Sequence, residues 1–396
     1  MEGNIPAVVV ENQTMLPYLR PDLANLAAYT PHPAGEVEAT TALDHLDTNE
    51  SPYPLPDPLR AKLADFYKNS LETNRYPDGS HGELKRAIAT YVNGSCGPIS
   101  NGTSKKITPQ QISIGNGSDE LIRSLLIATC LNTGGSILTA TPTFSMYGIL
   151  AKTLGIPVVT IDRNPQKNFQ VDIDAARAAI ANPDGPPVRA VWMVHPNSPT
   201  ANALTPTELS WLRGIPSHIL VVVDEAYFEF SQQTVAGELA ARPNWVILRT
   251  FSKAFRLAAH RMGYAVGHPD LIQALEKVRL PYNLPSFSQA AALTALAHSH
   301  ELLTVIPNLF NERDRLSQQL RALGPFRVWD SAANFIYVQL RHDLAGANPE
   351  QTLATLVKKM KARGTLIRHT GGGLRITVGT PEENERTLIR LKDVLG

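Results

Sequence analysis

Lys253 lies in the run from Arg249 to Arg261, where Thr250, Ser252 and Arg261 surround one amine with two hydroxyls and a guanidinium. That is equipment for holding a phosphate beside an amine. The apolar stretch Trp245 to Leu248 leads into the run as a strand would, and a helix-compatible stretch follows. A Ser-Lys pair after a strand is, by itself, an ordinary surface feature. Its meaning depends on what the rest of the chain brings to the same place.

An amine beside a phosphate points to a Schiff base with the aldehyde of pyridoxal phosphate. Asp224 ends an apolar run, where an uncompensated carboxylate is costly. A protonated pyridine nitrogen would compensate it, and pairing of that kind makes the ring an electron sink; a helix cap or salt bridge would serve as well. Tyr227, three residues on, and Asn197, in the turn after another apolar run, offer donors to a ring phenolate oxygen. Phe144 offers a face for stacking, although an aromatic there is more often core. Gly115 to Glu120 joins a strand to a helix: Gly117 allows close backbone approach, and Ser118 and Asp119 sit where helix amides bind phosphate. The same residues could cap a helix with no ligand. Arg375 begins a strand, and its fork suits a carboxylate, a phosphate or a surface salt bridge.

These residues need a scaffold that gathers them. Candidate strands are residues 111–114, 135–139, 158–161, 190–194, 218–223 and 245–248, with helical patterns between most of them. The strands read as nearly continuous apolar runs, as in a mostly parallel sheet covered on both faces. The expected fold is α/β, with the polar clusters at the C-terminal edge of the sheet where ligands bind. A long helical region at 288–323 and a few short strands predict a smaller α+β domain. The expected division is a large domain over 41–286 and a small one over 287–396, joined by the loop-rich residues 1–40. Residues 93–109 read as an exposed loop.

The chain has 396 residues, a formal net charge of +1 and 18% charged residues, so no basic stripe suggests nucleic acid or a membrane surface. Its two cysteines, Cys96 and Cys130, show no metal-ligand spacing and no disulfide framework. The N-terminal residues lack the pattern of a secretory signal, and no run approaches a membrane span of about 18 apolar residues. A cytoplasmic protein is expected.

Taken in order, Gly115 to Glu120, Pro196 to Thr200, Asp224 to Tyr227, Ser252-Lys253 with Arg261, and Leu374-Arg375 resemble the fold-type I pyridoxal phosphate enzymes of the class I/II aminotransferases. Further text resembles the histidinol-phosphate aminotransferase branch: residues 46–53, 75–78, 279–286, 331–335 and 374–384. The resemblance implies a homodimer in which Tyr76 reaches the cofactor phosphate of the partner subunit. It also implies that Lys253, once freed, moves a proton between substrate and cofactor. Arg375 would bind the carboxylate of glutamate and help bind a substrate phosphate, with Arg368 and Arg20 as helpers. The substrates would be a small amino donor and a 2-oxo acid, with no metal. An aromatic aminotransferase, a threonine-phosphate decarboxylase and a pyridoxal phosphate-binding regulator are the rival readings. Three features depart from the family pattern. His195 and Ala201 replace a common Asn and Gly, Phe144 stands where tyrosine is frequent, and the loop at 95–109 is longer.

Overall fold

The structure is a computed structural model that describes residues 18–26, 43–95, 106–341 and 348–395. Residues 1–30 and 31–396 form two compact units. The described part of the first is a single 3-10 turn, Pro21–Asn25, and Arg20 before it pairs with Asp22 at 2.6 Å.

The second unit is built on an eight-stranded sheet. From one edge to the other its strands are Ile112–Asn116, Met262–Gly267, Trp245–Thr250, Leu220–Asp224, Val188–Val194, Ser136–Thr141, Val158–Asn164 and Gln170–Val171. The five from Trp245–Thr250 to Val158–Asn164 run parallel. Successive residues of these strands pack into opposite faces, which is why they read as unbroken apolar runs. Val191, Met193, Val221, Val223 and Ile247 join one core. Ala190, Trp192, Val194, Val222 and Leu248 join the other.

The helix-compatible stretch expected after Lys253 is instead a short 3-10 turn, Ala258–His260, followed by the strand Met262–Gly267. That strand pairs antiparallel with both neighbours, so it folds the lysine run back along the sheet. The helical region expected at 288–323 is three helices, Ser286–Ala297, Ser299–Leu303 and Ile306–Ala322. Pro307, with no N–H to continue a preceding helix, sits in the first turn of the third.

A second, antiparallel sheet has the order Phe326–Val328, Phe335–Leu340, Gly373–Thr377 and Arg368–Thr370. Helices Ile306–Ala322, Pro349–Ala362 and Pro381–Leu395 share its core. The segment Asp44–His45, expected with the large domain, pairs in parallel with Thr365–Leu366. Its Asp44 carboxylate accepts from Arg386 and Arg390 at 2.6 Å each. Residues 46–49 then run from this anchor to the edge of the large sheet, and that path carries much of the site. Among the described residues no helix is long and apolar enough to cross a membrane. Cys130 is buried and unpaired by disulfide; Cys96 and the core of the 95–109 loop lie outside the described residues.

Candidate active site

The sheet brings Asp224, Thr250 and the turn at Asn197 to one edge because each follows the C-terminal end of a neighbouring parallel strand. Asp224 is buried, with its Oδ1 accepting from the Ala226 N–H at 3.1 Å and its Oδ2 from the Tyr147 hydroxyl at 2.6 Å. Burial pushes its carboxyl up to about 6, against the pull of those two donors. The next residue, Glu225, forms a buried ion pair with Arg249 at 2.9 Å, tying the ends of two adjacent strands together.

Lys253 is partly buried, and its Nζ donates to the Thr48 carbonyl at 2.7 Å. Burial first, then the nearby Arg375 charge, pull its amine down to about 8. Tyr227 is buried, and its hydroxyl oxygen accepts from Asn49 Nδ2 at 2.9 Å. Arg375 donates to Ser198 Oγ at 3.1 Å and to the Asp47 carbonyl at 2.6 Å, and its guanidinium lies 5.7 Å from the Phe335 ring. Arg368 is the direct cross-strand partner of Arg375, so both side chains leave the same face of the sheet.

The turn at Gly117 is shaped for an anion. Gly117 has φ +73°, and a Cβ there would stand 2.6 Å from Arg261 Nη2. A Cβ on Gly263 would stand 2.7 Å from the Ser118 amide nitrogen. Both glycines therefore keep backbone and guanidinium close at the start of the 13-residue helix Gly117–Thr129. Arg261 pairs with Asp119 at 3.3 Å. A carboxylate cannot donate to a phosphate, so all that Asp119 can offer one is its amide and its grip on Arg261. Thr250 Oγ1 lies 3.1 Å from the Met262 carbonyl and accepts from the Ser252 N–H at 3.1 Å, which commits it inward. The Ser252 oxygen lies 3.0 Å from Thr250 Oγ1, and its own O–H is left to donate to a phosphate. The donor set fits the phosphate of pyridoxal phosphate, and buried Asp224 fits its ring nitrogen.

Other expected residues stand differently. Asn197 turns its amide into its own loop, donating to the Pro142 carbonyl at 3.0 Å and to Thr200 Oγ1 at 2.6 Å. Phe144 is half-buried and meets Tyr147 edge-on at 5.5 Å. Tyr76 is 81% exposed and stacks on Tyr282 at 4.7 Å, pointing away from its own chain's core. Arg20 belongs to the first unit, paired with Asp22. His195, the first departure from the family pattern, is buried and accepts the Leu204 N–H at 3.1 Å. Ala201, the second, holds φ +62°, a left-handed conformation that glycine adopts without cost and alanine for about 1 kcal/mol.

Residues 44–391 match the model of the family described as aminotransferase class I and II. The chain belongs to that family. Class I and II aminotransferases transfer amino groups, and the chain is similar over nearly its whole length to curated members. It is 58% identical to a histidinol-phosphate aminotransferase of Trichodesmium erythraeum, covering 96% of this chain and 100% of that one. It is 57% identical to histidinol-phosphate aminotransferase 2 of a Nostoc species, covering 96% and 98%. Among solved structures, the histidinol-phosphate aminotransferase of Sinorhizobium meliloti, in complex with pyridoxal-5'-phosphate, superposes with a TM-score of 0.81. It is 22% identical and covers 96% of this chain and 98% of that one, which shows a shared aminotransferase fold.

Sequence reasoning missed Tyr147, Asn49, Ser198 and the carbonyls of Asp47 and Thr48. Asn49 lay inside the stretch at 46–53 that carried the resemblance, but no chemistry was read from it. A carbonyl leaves no mark in residue type, so Asp47 and Thr48 had no signal.

Proposed function

We propose that this chain is a histidinol-phosphate aminotransferase, exchanging the amino group of histidinol phosphate with 2-oxoglutarate in histidine biosynthesis. The observation that carries the reading is the identity of 58% and 57% to relatives of that name across 96% of the chain. The paired Arg375 and Arg368 agree with it, since one face must take a carboxylate in one half-reaction and a phosphate in the other.

Pyridoxal phosphate would supply the electron sink for a carbanion at the substrate α-carbon. The chain's own residues divide the remaining work. Lys253 holds the cofactor and then carries a proton to and from the substrate α-carbon. Asp224 keeps the ring nitrogen protonated, while Tyr227 faces the phenolate side and Phe144 the ring, and Asn197 braces the loop beside them. Gly117, Ser118, Asp119, Ser252 and Arg261 form the phosphate cup, and Thr250 holds Ser252 from behind. Arg375, with Arg368 beside it, receives the anionic ends of the substrates. We assign the exposed Tyr76 to the phosphate of a partner subunit and place the homodimer in the cytoplasm. Sedimentation showing only monomer at micromolar concentration would remove the Tyr76 assignment.

A substrate panel on purified protein tests the central reading. With 2-oxoglutarate as acceptor, kcat/KM for histidinol phosphate should exceed that for phenylalanine by about 100-fold, the scale of one charge-assisted contact. A preference for phenylalanine would make it an aromatic aminotransferase. Release of carbon dioxide from threonine phosphate would make it a decarboxylase.

A further inference from the structure

Among the described residues, Tyr147 is the one side chain that hydrogen-bonds Asp224. It sits in the helix Met146–Thr153 with no exposed surface. Its ring lies edge-on to Phe144, at 5.5 Å and 84°, and leans on Trp192 at 4.9 Å. Its hydroxyl has one buried acceptor, Asp224 Oδ2 at 2.6 Å. Tyr147 therefore touches both residues expected to hold the cofactor ring, the carboxylate at one edge and the phenylalanine on one face.

We propose that Tyr147 is a positioning residue that fixes the rotation of the Asp224 carboxylate and keeps it ionised for the ring nitrogen, while its ring sets the tilt of Phe144. The inference rests on reading Asp224 as the partner of the pyridine nitrogen. A free carboxylate rotates about its terminal bond through a broad range. Here the Ala226 N–H holds one oxygen and the Tyr147 O–H the other, so the plane of the group is set before any ligand arrives. The donated proton also stabilises the charged form against burial, which otherwise favours the neutral acid. Burial and the neighbouring carboxylate push the phenol well above its ordinary range, so Tyr147 stays a donor at every working pH.

Tyr147→Phe keeps the ring and its packing and deletes only the donor. The probes are pyridoxal phosphate and its deaza analogue, in which a carbon replaces the ring nitrogen, each titrated into apoprotein. Wild type should prefer pyridoxal phosphate, and Tyr147→Phe should lose about tenfold of that preference while binding the analogue as wild type does. Equal loss for both ligands, or no loss for either, would overturn the proposal. The ratio is taken within each protein, so a general loss of stability cancels. A second measurement needs no ligand: infrared titration of the protonated Asp224 carboxyl, assigned with Asp224→Asn, should move to higher pH in Tyr147→Phe. An unmoved titration would equally overturn it. Failure of the underlying reading looks different, because wild type itself would then show no preference for the ring nitrogen.

Discussion

Lys253→Ala protein turns over at least about 10⁴-fold more slowly than wild type and shows no visible absorbance from lysine-bound cofactor. The magnitude follows from losing both the covalent hold and the group that moves the proton at the α-carbon, of which general acid–base catalysis alone is worth about 10²–10⁴-fold. Retained turnover would end the assignment of Lys253. The same amine gives a pH signature in the unmodified chain. Only the neutral amine attacks an aldehyde, and its pKa is lowered to about 8. Cofactor capture by apoprotein, followed by stopped-flow absorbance, should therefore accelerate as pH rises through about 8 and level off above it. An inflection above 10 would mean that neither burial nor Arg375 acts on the amine.

Asp224→Asn separates function from stability. The amide cannot keep a ring nitrogen protonated, so turnover should fall by about 10³-fold or more. The apoprotein should respond in the opposite sense. The carboxyl is raised from 3.8 to about 6. The native state then binds the proton more tightly than the unfolded chain, and stability falls as pH rises from about 4 to about 6. Above that window the ionised form costs the fold about 3 kcal/mol. Asparagine removes that cost but serves one of the two donors poorly, so a gain of about 1–2 kcal/mol at pH 8 is expected. Urea unfolding of apoprotein between pH 4 and 8 measures it, and an unchanged pH slope would count against the buried charge. Costly charge at a functional site is the usual trade of stability for activity.

Much of this arrangement was legible in the sequence because it follows local rules. Strands buried on both faces are unbroken apolar runs, and their polar ends mark the ligand edge; Asp224, Thr250 and Gly117 follow directly. The strand Met262–Gly267 was not legible. Its two glycines and the Leu-Ala-Ala-His segment before it read as helix or turn, and only pairing with distant neighbours on both sides makes it a strand. Tyr147 lies 77 residues from Asp224 and was hidden for the same reason. Thr250 was readable as a hydroxyl near the lysine but not as one committed to the Met262 carbonyl, since that bond depends on the strand that was missed.

The path from the Asp44 anchor has a consequence for variation. Lys253 and Arg375 lean on the carbonyls of Thr48 and Asp47, and Asn334 leans on that of Asn49 at 3.1 Å. Carbonyls are common to every amino acid. The three acceptors are therefore bound in their number as well as in their letters: a one-residue insertion or deletion would shift them together, whatever side chains it left in place.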